Sequence, residues 1–154
     1  MRSYYNVINS LKEVITQQVQ SNNNISQGDI GDIDLSKQTI FPLAHIVVNS
    51  ASIEENHVSF NVTIYYLDLV DYSKKPSATL FLGNDNEQDV YNTQLALATR
   101  VLRVLQKANL YKDSFEILNA SACIPLPKFS DNNLTGWEST FDIATKDNMT
   151  YCDE

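Results

Sequence analysis

The chain has 154 residues, enough for one domain with a substantial core. Eleven Lys and Arg stand against nineteen Asp and Glu, a formal net charge of −8. That balance argues against a general nucleic-acid clamp, which needs basic surface to displace counterions from phosphate, and the lack of any run of roughly 18 apolar residues argues against a helical membrane span.

Tyr4 to Val19 reads as the first helix. Tyr4, Val7, Ile8, Leu11, Val14 and Ile15 recur at helical spacing. Ser3 is placed to cap it, and Asn22, Asn23 and Asn24 end it. This stretch is amphipathic and lacks the continuous apolar core of a signal peptide. Residues 21–40 carry two of the four glycines and read as a loop or extended arm that orders on assembly. Within it, DIGDID lacks the glycine and closing glutamate that a calcium loop needs.

Phe41 to Asn49 is the first expected strand, with Pro42 near its start, where a missing amide does least harm. Ser50 to Asn56 reads as a turn. His57 to Val70 then alternates. Val58, Phe60, Val62, Ile64 and Tyr66 point one way, and Ser59, Asn61 and Thr63 point the other. The alternation fails at Tyr65, Leu67 and Leu69, which are apolar on the polar face. That half of the strand is expected to be covered on both faces, by a partner subunit or by an internal loop or helix. Asp71 to Ala78, holding Lys74, Lys75 and Pro76, is either a solvated hairpin tip or a contact loop.

The longest helix lies within Phe81 to Leu105. Asp85 and Gln88 stand in a capping relation, and Asp85, Glu87 and Asp89 suit the positive end of the helix dipole. Tyr91, Gln94, Leu95, Ala98, Val101, Leu102 and Leu105 form its expected buried stripe, with Arg100, Arg103 and Lys107 in the later turns. Phe115 to Pro125 is a third strand, stopped by Pro125-Leu126-Pro127. After a loop over Phe129 to Thr135, Gly136-Trp137 opens the last strand. There Trp137, Ser139, Phe141 and Ile143 share one face, and Trp137 packs on the long helix. A polar tail spans 145–154. The pattern is a single α+β domain over 1–154, with a mixed, mainly antiparallel sheet packed against two helices.

No nucleophile elbow, phosphate loop, dinucleotide fingerprint or metal motif is present, so no catalytic residue, cofactor or metal is expected. His45 and His57, twelve apart, are expected to be satisfied by neighbours or solvent. Asp68 and Asp71 read as a wet strand end. Cys123 and Cys152 could form one disulfide, but nothing marks the chain for export. The five N-x-S/T sequons, at Asn24, Asn61, Asn119, Asn133 and Asn148, follow from the abundance of asparagine. Eight tyrosines suit a binding surface, since tyrosine adds contact area with little entropy lost.

The succession IFPLAHIVVNSA, HVSFNVTIYYLDLVD, FLGNDNEQDVYNTQLALATRVLRVL and GWESTFDI resembles small bacteriophage proteins of the head–tail joint, the tail-terminator and tail-completion family. The picture is also similar to the stacked neck rings of crAss-like phages. The resemblance spans nearly the whole chain and implies a mixed sheet flanked by helices. It further implies a homomeric ring of six or twelve copies in the virion neck or tail, made in the host cytoplasm. Portal, adaptor, stopper or tail tube would be neighbours, with genomic DNA passing through a lumen without specific binding and no membrane involved. No catalytic residue comes with that family. The residues themselves place the subunit interface at Tyr65, Leu67, Leu69, Lys74 and Lys75. Glu54, Glu55, Asp85 and Glu87 are candidates to face a lumen, where like charge keeps DNA from sticking. Two other readings stand beside this one. One is a small intracellular enzyme or ligand-binding domain without a recognisable motif. The other is a stopper or tail-tube protein.

Overall fold

The computed structural model describes residues 3–18, 24–28, 42–55, 57–69, 87–107, 115–118, 122–129 and 134–146. Among them are two helices and six strands: α1 (Ser3–Gln18), β1 (Asn24–Gln27), β2 (Leu43–Ile53), β3 (His57–Leu69), α2 (Glu87–Lys107), β4 (Phe115–Ile117), β5 (Ala122–Phe129) and β6 (Leu134–Lys146). The strands form one mixed, mostly antiparallel sheet in the order β1-β2-β3-β6-β4, and β5 lies on the same side of β6 as β4. The fold is α+β, as the residue pattern implies.

Both helices lie on one face of this sheet. α1 has no acid in its first turn and no base in its last, so its own termini do little to hold it. Packing does the work: Val7, Ile8, Leu11, Val14 and Ile15 are all buried in the main core. From α2 come Leu97, Ala98, Val101 and Leu105. The sheet supplies Ala44 and Ile46 from β2, the even residues Val58 to Tyr66 from β3, and Phe141 and Ile143 from β6. The registers Ile46↔Ile64, Val62↔Phe141 and Phe60↔Ile143 set these side chains directly opposite one another on the same face. Fully burying one such Leu, Ile or Phe stabilises by about 1.5–3 kcal/mol.

Several elements differ from the reading of the residues. Ser3 is the first residue of α1 rather than its cap. The buried stripe of α2 runs through Val90, Gln94, Leu97, Ala98, Val101 and Leu105, while Tyr91, Leu95 and Leu102 are only half-buried. The expected cap at Asp85 lies outside the described residues. Asn24 to Gln27, expected within an arm, is a strand that pairs parallel to β2. β2 continues through the expected turn to Ile53, and the chain reverses only where the Glu54 amide donates to the His57 carbonyl at 2.9 Å.

A β-bulge at Asn49, between the pairs Val48↔Val62 and Ser50↔Asn61, makes that extension possible. The inserted residue changes which parity faces the helices. Ala44, Ile46 and Val48 do so before it, and Ala51 and Ile53, opposite Phe60 and Val58, do so after it. The two prolines of β5 do not stop the strand. β5 runs through both to Phe129, because among the described residues it has a strand neighbour on one side only. The register Pro125↔Trp137 requires the proline nitrogen to face away from β6.

Candidate subunit interface

Three of the five residues expected at an interface lie on the sheet face away from the helices. Tyr65 stands opposite His45 on one side and Glu138 on the other, and is half-buried. Burial first, and then the Glu138 carboxylate, push its phenol above the ordinary value. Leu67 is 0% exposed, paired with Leu43 and Gly136. It is covered by its own chain, so the internal explanation holds for this residue and a neighbouring subunit has no access to it. Leu69, opposite Leu134, is half-buried. Lys74 and Lys75 lie outside the described residues.

This face changes character along its length. Toward the β2–β3 hairpin it carries a ladder of polar side chains. Asn49 Nδ2 donates to Asn61 Oδ1 at 2.9 Å and to Thr63 Oγ1 at 2.7 Å. Asn61 Nδ2 donates to Asp142 Oδ1 at 2.8 Å, and the hydroxyls of Thr63 and Thr140 meet at 3.0 Å. The network ties three strands together and satisfies groups that burial would otherwise penalise.

The two histidines are engaged, as expected of them. His45, 1% exposed, sits between Ser26 Oγ at 2.6 Å and the Gly28 carbonyl at 3.1 Å. A carbonyl only accepts, so Nε2 carries the hydrogen and Nδ1 accepts from Ser26. His45 thereby pins β1 to the sheet. His57 Nε2 lies 3.2 Å from Glu54 Oε2 across the hairpin turn. Asp68 Oδ1 accepts the Leu69 amide at 2.8 Å. Its half-burial raises the carboxyl above the ordinary range, opposed by that hydrogen bond. Asp71 lies outside the described residues. Cys123 is a free thiol.

The surface that sequence reasoning missed is at the sheet's edges. Asn49, Ser50, Ala51, Ser52 and Ile53 are all exposed, Ile53 at 80%. β1 pairs only with Leu43 to Ile46, so the outer edge of β2 beyond that point has no strand partner among the described residues. On the opposite edge of the sheet, Glu116 within β4 and Leu118 just after it are exposed, Leu118 at 44%. The sole cue in the sequence was Ile53 within an otherwise polar SASIEEN stretch. Glu54 and Glu55 stand exposed at the hairpin tip. Glu87 opens α2, and Asp85 lies outside the described residues.

Among the described residues no three His, Cys, Asp or Glu side chains gather as a metal ion would need. No helix among them is long and apolar enough to cross a membrane. No family model matches the chain, and no curated protein matches it.

Proposed function

We propose that the chain is a structural subunit of a phage virion that closes into a homomeric ring at the head–tail joint, as a tail terminator or neck ring. The observation that carries this reading is the outer arm of the β2–β3 hairpin. Five consecutive strand residues are exposed, with Ile53 among them at 80%. An isolated edge of this kind is a hazard that folded chains ordinarily blunt with lysine or proline. This arm has neither, which suits a surface that another chain covers. The net charge of −8 supports the same reading, since an acidic lumen repels DNA and lets it slide. The resemblance noted above, which implies a mixed sheet flanked by helices, supports the same reading. The ring would act by closing one assembly and presenting a surface to the next, with portal, adaptor, stopper or tail-tube proteins as neighbours.

Light scattering behind a sizing column, with negative-stain images of the peak, tests the reading. The expected result is a closed ring of six or twelve copies with a central hole. A single-chain mass at every concentration, together with absence of the protein from purified virions, would overturn it.

A further inference from the structure

Among the described residues the sheet has two lateral edges, each paired with a strand over one part of its length and without a strand partner over another. On the β2 side, β1 closes the level of Leu43 to Ile46. On the β6 side, β5 occupies the level of Gly136 to Thr140. Register across the sheet puts these two closed parts at the same height: Leu43 pairs Leu67, Leu67 pairs Gly136, and Gly136 pairs Leu126. Pro125, with its nitrogen turned outward, and Pro127 two residues on, present no amide to a further strand. The open parts therefore share the other height. They are β2 from Ala51 to Ile53 and β4 from Phe115 to Ile117, both level with Val58 to Phe60 in β3 and Ile143 to Thr145 in β6.

Direction and pleat also match. β2 is antiparallel to β3, β3 to β6 and β6 to β4, so β4 runs opposite to β2. A copy placed beside the first in the same orientation would meet it antiparallel. The Leu118 amide donates to the Asp142 carbonyl at 3.0 Å, so by alternation the backbone groups of Phe115 and Ile117 face outward. The Glu54–His57 bond fixes the other edge in the same way, with Ala51 and Ile53 facing outward. Residues that exchange hydrogen bonds across an antiparallel pair must carry their side chains on one face. Ala51 and Ile53 share the face of Phe60 and Val58, and Ile117 shares the face of Ile143, which is the helix side in both cases.

Resting on the ring reading, we infer that β4 of one copy adds antiparallel to the free edge of β2 in the next, Ile117 opposite Ala51 and Phe115 opposite Ile53. The occupant of the open edge is thus a second copy of the chain, since one molecule carries both halves of the pair at one height. The contact is heterologous, using different surfaces of each subunit, and repetition about an axis closes it into a ring. It buries Ile53 and gives partners to outward amides and carbonyls that pair with no other strand among the described residues.

Two variants and one cross-link test this. Ala51→Pro removes an outward amide while leaving the β2–β3 ladder its donors, so the subunit still folds. It is expected to run at the mass of one chain, with a circular-dichroism melt within a few degrees of the parent. In a Cys123→Ser, Cys152→Ser background, chains carrying Ala51→Cys are mixed with chains carrying Ile117→Cys. Opposed hydrogen-bonded residues lie about 5.5 Å apart at Cα, within disulfide reach. The mixture is expected to link into a dimer on mild oxidation, and neither variant alone is. If the parent assembles, Ala51→Pro stays assembled and the mixture does not link, the strand addition is wrong and the ring stands. If the parent is a single chain throughout, the strand addition fails, and the ring fails with it where purified virions also lack the protein.

Discussion

Gly136 is where the sheet leaves no room for a side chain. A Cβ there would overlap the carbonyl oxygen of Tyr66, with the Tyr66 carbonyl carbon at 2.8 Å and Leu67 Cα at 3.2 Å. These are backbone atoms of the neighbouring strand and cannot swing aside. Gly136→Ala is therefore expected to destabilise by roughly 2–4 kcal/mol. The check is a lower urea midpoint with an unchanged slope. The side chain of Tyr66 carries a second consequence. It is fully buried, and burial, followed by the nearby Cys123 thiol, pushes its phenol far above the ordinary value of 10.0. A folded-state pKa raised in this way stabilises the fold fully below the unfolded value near 10. That stabilisation is lost as pH rises above it, because only the unfolded chain then releases the proton. Alkaline unfolding of the parent is thus expected to begin above pH 10, and Tyr66→Phe is expected to resist it to higher pH. An identical alkaline midpoint in both proteins would count against that account.

At the scale of elements, α2 carries a local conflict. Gln94 is 2% exposed among apolar neighbours on the stripe, and its Oε1 has no hydrogen-bond partner. An unpaired buried acceptor costs about 1–3 kcal/mol. Gln94→Met keeps the length and removes the acceptor, so it is expected to raise stability by about 1 kcal/mol, read as a higher denaturant midpoint. β1 is the element most dependent on single contacts. Ser26→Ala removes a 2.6 Å hydrogen bond to His45, and faster hydrogen exchange is expected at the Gly28 amide, which donates to Ile46. These same elements show what could be read in the residues. α1, β3 and β6 were legible because their apolar residues repeat at clean periods of 3.6 or 2 and face one large core. β1 was not, since NISQ has one apolar side chain and owes its conformation to parallel pairing with β2 and to His45. In the sequence the outer arm of β2 reads as a turn because SAS offers no alternation. An exposed strand buries nothing, so periodicity leaves no trace of it. Pro125 and Pro127 read as a stop because a strand's place at an edge depends on strand order, which no local pattern states. The interface expectation had the same limit. Tyr65, Leu67 and Leu69 break the alternation for a physical reason, but whether the cover is internal depends on long-range packing, and for Leu67 it is internal.

At the scale of the whole molecule, charge and strand geometry make opposing demands on assembly. Every copy added to a ring brings a formal −8, and like charges at the separation of neighbouring subunits repel through solvent. The proposed backbone pairing between β2 of one copy and β4 of the next would involve neutral amides and carbonyls, and burial of Ile53 would add an apolar contribution. Salt screens the first effect and leaves the second nearly untouched, because the Debye length falls from about 30 Å at 0.01 M to about 10 Å at 0.1 M. A ring joined by strand addition is therefore expected to tighten as salt rises over that range, seen as assembly at lower protein concentration in light scattering. An interface held by Lys74 and Lys75 against the acidic surface of the next copy responds in the opposite sense, since screening weakens attraction as well as repulsion. Dissociation on raising salt would move the contact from the sheet edges to the segment that holds Lys74 and Lys75. The sign of one titration thus separates the edge geometry from the charged contact expected from the sequence.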